Sequence, residues 1–323
     1  MRAIAIQEFG DPSGMELVDR PVPAPGTGDV LIRVEAIGVG GVDAVIRRGT
    51  LGSTYPVGMI PGSEIVGTVI VTGTDVDASW AGRRVWAFTG ISGGYAEYAV
   101  AKLEDVVVIP DALSSSDAVA LGSASAVASF ALDHARLQEG ESVLVRGAAG
   151  SIGIAAVELA AQRGAAIVAV TTSSAERGRQ LTTLGATLVL DRRGNPIDDT
   201  ESGVRHPFDV IIDIVGGKDV PDFIDRLAPN GRLVLVGAVA GFPPPEFGMR
   251  LLQSFQLSRS ISTFSLATVP TERLSAARAE LFQAAAIGEL HAVVDDTLPL
   301  EGAVEAHRRM EHGNVFGRIV LLP

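Results

Sequence analysis

The spacing of apolar positions changes character near residue 115. Before it, short β-prone runs (Ala3 to Gln7, Asp29 to Ile37, Glu64 to Thr72, Arg84 to Thr89) stand between glycine and proline clusters, which predicts short strands joined by tight loops, as in a partly open barrel. From Ser114 to Leu137 the period turns helical and predicts two helices, with Ser114 as the first N-cap. Strands and helices then alternate: strand from Ser142, helix from Gly150, strand Ile167 to Val170, helix Ala175 to Leu184 closed by Gly185, strand Thr187 to Leu190, strand Phe208 to Ile214, helix Asp219 to Leu227, strand Arg232 to Val236, strand Ser260 to Phe264. That alternation predicts a doubly wound parallel sheet with ligands at the C-terminal strand ends. The remaining pieces, helices Pro270 to Ile287 and Leu300 to His312 and strand Phe316 to Leu322, are expected to return to the first domain.

The stretch from Ser142 to Gly164 carries the sharpest chemical signal. Val143 to Val145 run into Gly147, Gly150 and Gly153 at three-residue spacing, and then Ile152, Ala155, Ala156, Leu159 and Ala160 recur with helical period. A strand, a glycine turn and a helix N-terminus together offer unpaired N–H groups and partial positive charge to a pyrophosphate. Ala148 makes the match G-x-x-G-x-x-G rather than G-x-G-x-x-G, so a plain strand-to-helix connection stays open. The next strand ends in Thr171, Thr172, Ser173 and Ser174, with Arg177 following and no acidic residue at the tip. Hydroxyls with an arginine suit a 2′-phosphate, whereas an Asp or Glu would select the free ribose of NAD, so NADP(H) is favoured. Arg177 as a solvated partner of Glu176 is the competing reading. Arg192 or Arg193, after the next strand, could reach the same edge.

Composition narrows the chemistry. The 323 residues are 47% hydrophobic and 20% charged, with a formal net charge of −12, no block of basic residues and no cysteine. This excludes thiolate nucleophiles, disulfides and cysteine-ligated zinc, and it disfavours nucleic acid and anionic membrane as partners. No uninterrupted apolar stretch reaches 18 residues and no signal-peptide core opens the chain, so a cytoplasmic location without a membrane partner is expected. The histidines show no metal-binding spacing, and no metal site is expected.

Four segments resemble the zinc-independent quinone oxidoreductase branch of the medium-chain dehydrogenase/reductase superfamily. They are MRAIAIQEFG with PVPAPGTGDVLIRVEAIGV, IPGSEIVGTVIVTGTDV, GAAGSIGIAAVELAAQRGA and HGNVFGRIVLLP. The resemblance implies an α/β chain with a GroES-like partly open β-barrel catalytic domain, residues 1–117 completed by 266–323, and a doubly wound Rossmann domain, residues 118–265. It also implies a homodimer and an NADPH-dependent hydride transfer to a small-molecule quinone or enone. By position, Gly147, Ala148, Gly150, Ser151, Ile152 and Gly153 would hold the pyrophosphate. Thr171, Ser173, Ser174 and Arg177 would face the ribose and its 2′-phosphate, with Arg192 near the adenosine. Val215, Gly237, Phe264, Ser265 and Arg318 would approach the nicotinamide side or the phosphates.

The departures from that branch fall around the reacting atoms. Gly40 stands where an Asn is common, Val45 where a Tyr is common, Val127 where a Thr is expected and Gly122 where a Pro is usual. An apolar, wide substrate pocket follows, drawing on Val45, Ser123 and Val127; Phe242 and Phe247 are expected to line it or a subunit interface, with core filling as the alternative. Asp43, Tyr55 and Ser63 are the candidate catalytic residues: Asp43 as a proton carrier, Tyr55 as a donor in a loop expected to border the cleft, and Ser63 as a hydroxyl donor where zinc-holding relatives place a His. Glu64 reads as a tether. The lost polar groups leave a second expectation open, a cyclase-like catalyst or a binding protein that keeps the nucleotide site without net redox.

Overall fold

The structure, a computed structural model, describes residues 1–49, 55–197 and 207–323. The chain forms two compact units, one of Met1–Ser123 with Pro270–Pro323 and one of Ala124–Val269.

In the first unit β1 (Arg2–Ile6) and β2 (Met15–Asp19) form an antiparallel ribbon. They are followed by β3 (Asp29–Gly38), helix α1 (Gly41–Arg48), β4 (Glu64–Thr72), β5 (Arg84–Phe88), β6 (Tyr98–Lys102) and β7 (Val106–Val108). Strand β3 is ten residues long and pairs antiparallel with both β4 and β6. Its apolar side chains Val30, Ile32, Val34 and Ile37 join Ile4, Ile65, Val85 and Tyr95 in one core. The β-prone runs of the sequence are strands here; α1, β2, β6 and β7, too short or too polar to show a period, are additions.

Helix α2 (Ser115–His134) is one continuous helix, not two. Its internal Gly122 and serines blur the apolar period without breaking the backbone. The hydroxyl of Ser114 accepts from the N–H of Asp117 and donates to its carboxylate, closing the N-terminus. By length and composition α2 could cross a bilayer, yet 67% of its most apolar window is buried inside protein, as in a core helix.

The second unit continues with β8 (Ser142–Arg146), α3 (Ser151–Gln162), β9 (Ile167–Thr171), α4 (Ala175–Thr183), β10 (Leu188–Leu190), β11 (Phe208–Asp213), α5 (Val220–Ile224), β12 (Leu227–Leu235), α6 (Met249–Gln253) and β13 (Ser260–Thr263). The six strands are all parallel, in the order β10-β9-β8-β11-β12-β13. Numbered within the unit this is 3-2-1-4-5-6, the doubly wound order, and it reverses between β8 and β11. The central strands are buried on both faces, which is why they read as unbroken apolar runs rather than alternating ones.

The chain then rejoins the first unit through α7 (Thr271–Ala286), β14 (Val294–Pro299), α8 (Ala303–Glu311) and β15 (Arg318–Leu322). Strand β15 pairs antiparallel with β3 and parallel with β14, completing a sheet in the order β14-β15-β3-β4-β5-β7. The acidic β14 carries no apolar period and was invisible in the sequence. The helix expected from Leu300 opens with a 3-10 turn, Leu300–Gly302, ahead of α8.

Candidate active site

Two groups of site residues are built separately, one in each unit. In the parallel-sheet unit, Gly147 leaves β8 at φ +86°, in the left-handed region, and a Cβ there would press against the Val215 side chain at 2.9 Å. Its N–H donates to Thr171 Oγ1 at 3.1 Å, so Thr171 braces the turn from the neighbouring strand. A Cβ on Gly153 would meet the Gly147 carbonyl oxygen at 2.6 Å, which fixes how closely α3 seats on the strand exit. Ala148, where the fingerprint departs from glycine, is fully buried. Gly150 is the N-cap and offers no side-chain acceptor, so the first-turn N–H groups of Ser151 and Ile152 remain uncapped by side chains and fit an anion.

At the tip of β9 the hydroxyl of Thr172 is buried without a hydrogen-bond partner. Ser174 caps α4 by accepting from the N–H of Arg177 at 3.3 Å, and the Arg177 guanidinium donates to Ser173 Oγ at 3.1 Å. Ser173, Ser174 and Arg177 thus form one cluster. The N–H of Thr172 donates to the Leu190 carbonyl at 3.0 Å, which ties the tip to the turn after β10. In that turn Asp191 accepts from the N–H groups of Arg193 and Asn195, both at 2.8 Å, and Arg192 is exposed at its apex.

A buried ion pair that sequence reasoning missed lies at the reversal of strand order. Arg146 donates to Asp213 at 2.8 Å and to the Gly216 carbonyl at 2.8 Å, and its guanidinium lies 4.2 Å from the ring centre of Phe223. The other Asp213 oxygen accepts from the N–H groups of Val215 at 2.8 Å and Gly216 at 3.0 Å. Burial pushes the Asp213 carboxyl up against the pull of Arg146. The signal was present as one charged residue ending each of two apolar strands. Beyond it, a Cβ on Gly237 would meet the Ile214 carbonyl oxygen at 2.6 Å. Phe264 donates its N–H to Leu235 and packs its ring 5.6 Å from that of His134, while Ser265 caps the next short turn. Gly216, Gly237, Phe264 and Ser265 follow the C-terminal ends of parallel strands. Phe242 is 77% exposed. Phe247 packs against the sheet core with Leu251, the core-filling alternative, because the turn after Pro243 to Pro245 brings it back to the apolar face.

In the barrel unit the centre is Asp43, the third residue of α1. It reaches back to accept from the N–H of Gly40 at 2.8 Å, so an acid and a glycine close the helix start where the related segment carries Asn. Ser63 donates to its Oδ1 at 3.2 Å, and the Tyr95 hydroxyl lies 3.2 Å from its Oδ2. That hydroxyl is also 3.0 Å from Nε2 of His307, whose Nδ1 accepts from Arg47 Nε at 3.2 Å. Arg47 further bonds the Gly10 carbonyl and Glu311. Asp43, Tyr95, Arg47 and His307 are all essentially inaccessible to solvent. Burial raises the Asp43 carboxyl to about 6, opposed by the Gly40 N–H and Arg318. Burial and Arg47 lower His307 to about 3, which keeps it neutral. Tyr95 and His307 were not recognised as a pair, since 212 residues separate them.

Glu64 accepts from Arg318 at 2.8 Å and from the N–H of Ser123 at 2.9 Å, so it ties β15 and α2 to the barrel. Arg318 was expected near the nicotinamide or the phosphates. The residue is 6% exposed, and its Nη2 donates both to Glu64 and to the Gly38 carbonyl, which pairs a charge that would be costly to leave alone at that depth. Tyr55 stacks on Phe9 with ring centres 6.5 Å apart. Val45 is half-buried on α1, and Ser123 and Val127, one helical turn apart, form a half-buried pair on one face of the mostly buried α2. Beside them Gly122 leaves room for the Trp86 indole, over whose ring Arg278 lies 4.3 Å from the centre.

Two family models match the chain: residues 26–111 fit the alcohol dehydrogenase GroES-like domain and residues 184–321 fit a domain described as zinc-binding dehydrogenase. Across its whole length the chain is 33% identical to the quinone oxidoreductase of Mus musculus, covering 98% of that protein, and 34% identical to that of Homo sapiens, again covering 98%. The chain belongs to the quinone oxidoreductase family of the medium-chain dehydrogenases/reductases. A solved structure, mycobacterial Rv1454c complexed with NADPH, superposes on this family member with a TM-score of 0.89 at 32% identity, each chain covered fully. The enzyme is therefore an oxidoreductase.

The chain has no cysteine, and among the described residues no three His, Asp or Glu side chains converge.

Proposed function

We propose that the protein is an NADPH-dependent, zinc-independent reductase of quinones or α,β-unsaturated carbonyl compounds with a bulky apolar body. The observation that carries the cofactor choice is the Ser173, Ser174 and Arg177 cluster at the β9 tip, which offers two hydroxyls and a guanidinium with no carboxylate among them. The uncapped N-terminus of α3 would take the pyrophosphate. When bound, the cofactor supplies a hydride. Val45, in place of a polar residue, favours an apolar acceptor, and Ser123 offers it a hydroxyl. Asp43 with Ser63 would hold the proton that balances the hydride. Tyr55 is the remaining donor candidate.

A homodimer is the favoured assembly, since β13 is a sheet edge and Phe242, Met249, Leu252 and Phe255 near it are exposed apolar residues. A cytoplasmic location accords with the cysteine-free, acidic composition.

The test follows the fluorescence of protein-bound NADPH while quinones and bulky enones are added singly. Decay with an acceptor supports the reading, and tight binding of NADPH without decay across a broad panel favours a non-redox role.

A further inference from the structure

The hydrogen bonds around Asp43 have a direction that the donor chemistry dictates. Arg47 Nε can only donate, so Nδ1 of His307 must be the acceptor and the proton of the neutral imidazole sits on Nε2. Nε2–H then donates to the Tyr95 oxygen, and the Tyr95 proton has one remaining acceptor, Asp43 Oδ2. The Gly40 N–H donates to the same oxygen. Every bond on the Oδ2 side therefore runs toward Asp43 and cannot reverse. Reversal would strip both nitrogens of His307 or aim two hydrogens at each other across Arg47. Oδ1 has a different partner. Ser63 Oγ both donates and accepts, so it suits either protonation state of the carboxyl.

We propose that Ser63 is the two-way gate through which Asp43 takes up and delivers the reaction proton, and that the Arg47–His307–Tyr95 chain is a one-way lock that forces the traffic through Oδ1. This rests on the reading that the protein reduces an enone or a quinone. In the loaded state Asp43 carries a proton on Oδ1 and donates it to Ser63 Oγ, which frees the Ser63 hydrogen. After hydride arrives at the acceptor, the Ser63 Oγ–H bond breaks toward the developing enolate or quinol oxygen. The Asp43 Oδ1–H bond breaks toward Ser63 Oγ at the same time, leaving Asp43 as the carboxylate and Ser63 neutral. A water proton returning by the same route restores the start. A carboxyl near 6 is charged and discharged at modest cost in neutral solution. The charged and titratable groups facing it are Arg47 on α1, Glu64 on β4, Tyr95 before β6, His307 and Glu311 on α8, and Arg318 on β15.

The experiment has two arms on the purified full chain. In the first, the Asp43 carboxyl, identified by its loss in Asp43→Asn, is titrated by infrared spectroscopy without any acceptor. Tyr95→Phe removes a donor to the carboxylate and raises the midpoint. Ser63→Ala removes a partner of both states and moves it less. Equal or larger movement in Ser63→Ala would make Ser63 a one-way donor and overturn the proposal. In the second arm, Ser63→Ala lowers kcat on the order of 10²-fold with NADPH affinity kept, and Ser63→Thr restores it together with its solvent isotope effect. A folded Ser63→Ala with full kcat also overturns it. If the unmodified protein reduces no acceptor, the reductase reading fails while the carboxyl titration still decides the gate.

Discussion

Arg146 Nη1 lies 2.8 Å from Asp213 Oδ2, and the two residues are register partners on the last rung shared by β8 and β11, where the strand order reverses. The pair is 3% and 0% exposed and also holds Val215 and Gly216 by their backbone. Asp213→Ala leaves a buried guanidinium with only the more distant Asp219 carboxylate, 3.8 Å from Nη2, and two N–H groups without an acceptor. It should cost about 3–5 kcal/mol of stability. The paired replacement Arg146→Met with Asp213→Leu should cost less than Asp213→Ala alone. Urea midpoints of the three variants check both statements.

Cofactor choice is tested at the β9 tip. Arg177→Ala removes the guanidinium that bonds Ser173 and should weaken NADPH by about 1–3 kcal/mol, the loss expected for a hydrogen bond to a charged group, with NADH changed much less. Titration of the two cofactors by fluorescence quenching measures it. Equal weakening of both would remove the 2′-phosphate from this cluster.

The doubly wound unit was legible because its strands are buried on both faces and its helices seat by small residues, so periodicity and the glycines at 147, 150 and 153 carry the order directly. The barrel's contacts were not. Asp43 meets Tyr95, and Tyr95 meets His307, across 52 and 212 residues, and no local spacing encodes such a meeting. Arg318 shows the limit of positional carry-over: the residue type agreed with the related ending, but burial beside Glu64 decided what the guanidinium does.

Gly122 is likewise held by its neighbours rather than by local propensity. A Cβ there would overlap the Trp86 indole nitrogen and stand 2.8 Å from Glu64 Oε2, and neither neighbour can retreat, since Trp86 is fully buried and covered by Arg278. Gly122→Ala should therefore destabilise by about 1–3 kcal/mol despite the better helix propensity of alanine. Adding Trp86→Phe, which shortens the ring at the clash, should recover part of the loss. Thermal melts of the single and double variants decide it.

Asp43 should also make stability depend on pH. The folded carboxyl titrates near 6 against 3.8 for an ordinary aspartate, so the native state holds a proton that the unfolded chain has already released. A group raised in this way contributes its stability fully below the unfolded value and loses it as pH rises through the folded one. Stability from this residue should decline between about pH 4 and 6 by roughly 3 kcal/mol, at about 1.4 kcal/mol for each pH step of one between the two values. Asp43→Asn imitates the protonated form: its oxygen accepts from Gly40 and Tyr95 while its amide donates to Ser63 Oγ. The variant should fold, lose that decline, and be more stable than the parent at pH 7. Urea denaturation of both proteins at half-unit steps from pH 4 to 7 checks the difference. Parallel curves would mean that the carboxyl is ionised in the native protein throughout this range.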